Sequence, residues 1–83
     1  MRRRSRTEVI IDILTEASRG ANKTRIMYRA NLNFCRFNRY FSKLMDEGLV
    51  VAADNPGGIV YLTTEKGKRL LALLRSASEL ASL

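Results

Sequence analysis

Histidine and tryptophan are absent from this chain of 83 residues, and cysteine and proline occur once each. With no histidine and Cys35 as the single thiol, neither the usual zinc donor sets nor an intrachain disulfide can be assembled, which fits a reducing cytoplasm. There is no glycine-rich phosphate loop, no paired carboxylates and no nucleophile–base set, so an enzyme is not expected, nor a cofactor or metal. No apolar run approaches the ~18 residues of a membrane span. The opening MRRRSR resembles the charged end of a signal peptide, but an amphipathic helix follows it instead of an apolar block, so a cytoplasmic protein is expected. The remaining scarcity is acid: 8 Asp and Glu stand against 15 Lys and Arg, a formal charge of +7. With 46% hydrophobic and 28% charged residues, the composition is that of one folded domain with a modest core, for which oligomerisation is a usual aid.

The shortage of acid is local. Between Glu16 and Asp46 there is none, while the interval carries Arg19, Lys23, Arg25, Arg29, Arg36, Arg39 and Lys43. Outside it the charges balance. A cationic surface confined to one part of a small chain is the electrostatic footprint of a nucleic-acid reader, although a basic run is also commonly a solvated face.

The pattern within this interval separates those readings. If Asn33 caps a helix over Phe34–Glu47 and Gly48 ends it, Phe34, Phe37, Phe41, Leu44 and Met45 share one arc of about 100°. Arg36, Arg39 and Lys43 lie within about 60° on the other side, flanked by Tyr40 and Glu47 on one edge and by Cys35, Ser42 and Asp46 on the other. The three phenylalanines are expected in the core; the cations are free to enter a major groove, where arginine grips phosphate or guanine with two hydrogen bonds and lysine acts as a point charge. Ahead of it, Asn22 caps Lys23–Ala30, with Ile26, Met27 and Ala30 on one face and Arg25, Tyr28 and Arg29 on the other. The link Asn31-Leu32-Asn33 is short, so the pair reads as a helix-turn-helix. In that arrangement the first helix crosses the DNA backbone, placing Lys23, Arg25 and Arg29 on phosphates; Tyr28 is either a further contact or an ordinary surface residue.

The flanking segments complete the fold. Arg2, Arg3, Arg4 and Arg6 form a basic tail, either an arm on phosphates or a solubilising terminus. Ser5 and Glu8 make a capping box before a helix carrying Val9, Ile10, Ile13, Leu14 and Ala17, closed by Gly20. Its Glu8, Asp12 and Glu16 are expected on outer faces, which keeps this helix off DNA. Runs at Leu49–Ala53 and Ile59–Leu62 around Asp54-Asn55-Pro56-Gly57-Gly58 read as a hairpin whose tip has no cation. A threonine cap at Thr63–Thr64 opens a last helix to Leu83, with Leu70, Leu74, Ala77 and Ala81 on one face, Leu73 and Leu80 beside them and Leu71 on the far edge. The expected fold is α+β, mostly α: a winged helix-turn-helix over 1–62 and, over 63–83, an extended C-terminal dimerisation helix. The stripe is wider than one small domain covers, which suggests pairing through Leu70, Leu73, Leu74, Ala77, Leu80 and Ala81 with a second chain.

At KTRIMYRANLNF…RY…LMDEGLV, followed by YLTTEKGKRLL, the sequence resembles small basic archaeal winged-helix proteins, the ten-kilodalton chromatin-type proteins grouped with ArnR-like regulators. The resemblance runs from Ser5 to about Leu74. It implies a DNA-binding homodimer joined through C-terminal helices, with Arg36, Arg39, Tyr40 and Lys43 where the recognition helix meets DNA and Asn31 and Asn33 at the turn leading into it. The expectation is therefore a cytoplasmic, nucleoid-associated homodimer on double-stranded DNA, acting as a regulator or a nucleoid organiser, with no membrane, cofactor or metal. Two other readings stay open: a protein-interaction module that captures a partner helix with its apolar C-terminal helix, and RNA binding, which usually exposes aromatic stackers. Cys35 beside Arg36 is either an inert thiol or an oxidant sensor.

Overall fold

A computed structural model describes residues 5–81, in the order α1 (Arg6–Ala17), α2 (Lys23–Ala30), α3 (Phe34–Asp46), β1 (Val50–Asn55), β2 (Gly58–Thr63) and α4 (Glu65–Ala81). The expected basic tail at Arg2, Arg3 and Arg4 lies outside the described residues, as does Leu83. Arg6 does not belong to a tail: it is the first residue of α1.

Short polar side chains start the helices by accepting hydrogen bonds from otherwise unpartnered amides. Ser5 Oγ accepts from the Glu8 amide (3.1 Å), Asn22 Oδ1 from that of Arg25 (2.8 Å) and Asn33 Oδ1 from that of Arg36 (2.9 Å). At α4 the cap is Thr64, whose Oγ1 accepts from the Gly67 amide (3.1 Å) and donates to the Gly48 carbonyl (2.7 Å). Thr63 ends β2 instead, buried, with its hydroxyl donating to the Leu14 carbonyl at 2.7 Å. The helices stop where the backbone turns left-handed: Asn31 (φ 55°) follows α2 and Gly48 (φ 71°) follows α3.

The core joins Val9, Ile13, Leu14 and Ala17 of α1 to Ile26 and Ala30 of α2, Phe37, Phe41 and Leu44 of α3, then Leu49, Val50 and Leu71. Phe37 and Phe41 stack with centroids 5.1 Å apart, and Phe41 meets Tyr61 of β2 edge-on at 4.9 Å. Phe34 departs from expectation. It is 62% exposed, because the first turn of α3 runs past the edge of the core; its ring lies 5.9 Å from the Lys23 ammonium.

The hairpin pairs Val50 with Thr63 through to Asn55 with Gly58, so only Pro56 and Gly57 make the reversal, fewer than the five turn-type residues suggested. Asn55 shortens the loop by accepting the Gly57 amide on its own side chain (3.2 Å). On the other side of β2, Ala21 and Tyr61 exchange two backbone hydrogen bonds, at 3.2 and 2.8 Å. The wing is thereby fastened to the link before α2.

α4 docks by the far edge of its apolar stripe. Leu71, placed on the far edge by the pattern, is buried, whereas Leu73 and Leu80 are 69% and 70% exposed. The reason is local packing at Gly67, which sits so close to the Leu49 carbonyl and the Thr63 methyl that the next inward position is 71. Arg75 holds the middle of the helix by donating to Thr15 Oγ1 of α1 at 2.8 Å. After Leu71 only Leu74 and Ser78 are half-buried and the other described residues are exposed, so the domain covers one edge of the later turns of a helix about 25 Å long and leaves the rest open.

Candidate nucleic-acid interface

α3 presents its polar side as the sequence pattern requires. At 100° per residue its exposed residues after Phe34 (Cys35, Arg36, Arg39, Ser42, Lys43 and Asp46) span about 120° centred on Arg39. Cys35 and Ser42 are exposed at one margin of that arc, as expected. Tyr40 is half-buried and packs against the core beside this face. Among the described residues, no ion pair engages Arg36, Arg39 or Lys43. Unpaired cations side by side repel each other, so this surface gains when an anion covers it.

α1, whose acids were expected to keep it off DNA, nevertheless borders this face with its first turns. Arg6 and Ile10 of α1 line an open cleft of about 500 Å³ together with Arg36, Arg39, Tyr40, Lys43 and Leu44 of α3. Arg6 thus adds a fourth cation to the α3 group. The signal was available in the sequence only as one more arginine of an apparent tail. Glu16 departs from its expected outward placement: its side chain is 13% exposed, turned from solvent toward α2, where its Oε1 accepts from Arg25 Nε at 2.8 Å.

The residues expected at the interface therefore fall into distinct groups. Arg36, Arg39 and Lys43 stand free together, with Tyr40 beside them. Tyr28 and Arg29 are exposed on α2, Tyr28 strongly so. Arg25 is shared with Glu16, and Lys23 reaches over Phe34 and Phe41, 5.6 Å from the latter ring. Asn33 spends its side-chain oxygen on the α3 cap, and Asn31 occupies the left-handed position where asparagine is favoured after glycine. Both asparagines thus have conformational reasons to be where they are. The wing tip brings no cation, and no cluster of metal-ligating side chains occurs among the described residues.

A helix pair with this geometry, a hairpin pinned beside it and a trailing helix is a recognised architecture, and the profile of the winged helix-turn-helix family matches residues 3–82. The chain belongs to this family. It is 35% identical over 79 residues to protein MJ0287 of Methanocaldococcus jannaschii, covering 94% of this chain and 77% of that one. Among solved structures it is similar to Sso10a-2, a DNA-binding protein from Sulfolobus solfataricus, with a TM-score of 0.83 and 25% identity over 95% of this chain and 83% of the other. This agrees with the resemblance to small archaeal winged-helix proteins read from the sequence. Two further likenesses concern the fold alone. SSV1 F-93 aligns at a TM-score of 0.74 and 21% identity, covering 98% of this chain and 94% of that chain. The transcriptional regulator PcaV of Streptomyces coelicolor, solved with its natural ligand, aligns at 0.64 and 20%, covering 98% and 63%.

Proposed function

We propose that this winged-helix protein binds double-stranded DNA as a homodimer, laying α3 in the major groove, and acts as a transcription regulator or a nucleoid-organising protein. The observation that carries the reading is the set of exposed, unpaired cations Arg36, Arg39 and Lys43 on one face of the helix that the fold leaves open. Arg6 extends that set across the cleft, and Arg29 with Tyr28 offers phosphate contacts from α2. Arg25 contributes less than its formal charge, because Glu16 accompanies it. Sso10a-2, of like fold over most of its length, is a DNA-binding protein.

The dimer is supported by α4. Leu73 and Leu80 are seven residues apart and both face solvent, with Ala77 and Ala81 exposed nearby. That spacing is the seam of two helices packed side by side. Leu70 is partly committed to the core of its own chain, which narrows the seam.

A mobility-shift titration at several salt concentrations tests the proposal. Four to eight cations placed on phosphates by the dimer give a slope of log K against log salt of about −4 to −7. A flat salt dependence, or no shift of duplex DNA, removes the reading.

A further inference from the structure

We infer that Phe34 is a specificity-determining residue, its ring seated against the 5-methyl group of a thymine in the major groove. The inference rests on the DNA-binding reading of α3 and adds an apolar contact at the N-terminal end of that helix, about 140° around it from Arg39 and on the side of Lys23.

Phe34 is the first residue of α3, and the N-terminal residues of a recognition helix are those that reach base edges. Its partners in the helix, Phe37 and Phe41, are buried, so the core does not require a third ring at this place. The ring is nevertheless held in position. Asn33 fixes the first turn by capping the Arg36 amide, and the Lys23 ammonium lies 5.9 Å from the ring centroid. That ammonium gives the aromatic face a cation–π partner and puts a positive charge beside it, available to a phosphate. A phenyl ring has no hydrogen-bonding group, so among major-groove features the one it complements is the thymine methyl. Cations on the same helix grip phosphate or guanine and cannot supply that selectivity.

The test is a two-by-two comparison. A duplex selected from a random pool is made with thymine and again with uracil, which keeps base pairing and removes only the methyl groups. Both are titrated with the native protein and with Phe34→Ala. The native protein is expected to bind the thymine duplex about fourfold more tightly for each methyl in contact, and Phe34→Ala to bind the two duplexes alike. Equal discrimination by native and variant protein overturns the inference, as does a native protein indifferent to the methyl groups. An Arg36→Ala/Arg39→Ala/Lys43→Ala variant separates the two levels. If it abolishes binding while Phe34→Ala changes nothing, the groove reading stands and the role of Phe34 falls; if native protein ignores both duplexes, both fall. Circular dichroism of Phe34→Ala is expected to match the native spectrum, since the ring is outside the core.

Discussion

Gly67→Ala is the substitution for which general propensity and this structure predict opposite signs. In an exposed helix interior, replacing glycine by alanine stabilises by about 0.5–1 kcal/mol. Gly67 lies in the first turn of α4 and is buried, and a Cβ there would collide with the Leu49 carbonyl oxygen and lie 2.7 Å from the Thr63 methyl. Neither neighbour yields easily. The Leu49 carbonyl already accepts the Thr64 amide at 3.0 Å, and Thr63 is pinned by its hydrogen bond to Leu14. Overpacking of this kind costs about 1–3 kcal/mol. With the propensity gain set against it, a net loss of about 1–2 kcal/mol is expected, which for a domain of this size lowers Tm by roughly 5–15 °C. Thermal and urea denaturation followed by circular dichroism measure this directly. A Gly67→Ala protein as stable as the native one, or more so, would refute the close docking of α4 on the strand and turn beneath it.

Three further outcomes follow from the same geometry. Asn31→Gly is expected to stay within about 0.5 kcal/mol of native stability and to leave DNA affinity unchanged, whereas Asn31→Ala loses about 1 kcal/mol, since only the latter is strained at φ 55°; chemical denaturation distinguishes them. Leu73→Glu combined with Leu80→Glu is expected to leave the fold intact and to convert the proposed dimer to monomer in sedimentation equilibrium, because both side chains face solvent in the single chain. Phe34→Ala is expected to cancel the distinction between thymine and uracil duplexes described above.

Much of this molecule is legible in its sequence where one residue decides one local event. Ser5, Asn22 and Asn33 each announced a helix start because a cap reaches only three residues, and Gly48 marked the end of α3. Periodicity was accurate for the middle of α3 and failed at its first turn. A helical wheel treats every turn as equally covered, but Phe34 lies beyond the body that buries Phe37 and Phe41. The same limit affected α4: a stripe of leucines wide enough to dock by either edge does not say which edge wins, and contact at Gly67 chose Leu71. The cationic face of α3 was visible as charge on one side of a helix, but the places of Arg6 and Glu16 were not. Their places depend on how α1 lies against α2 and α3, which is a property of packing and not of local sequence.

The central claim is that the free cations of α3 meet the phosphates and base edges of duplex DNA. The measurement that tests it most directly is the salt-dependent affinity of native protein beside the Arg36→Ala/Arg39→Ala/Lys43→Ala variant, with folding of both checked by circular dichroism. A folded variant that has lost most duplex binding, with any residual binding showing a slope flatter by about one for each phosphate contact removed per chain, is the predicted result. A folded variant that binds with native affinity and slope contradicts it.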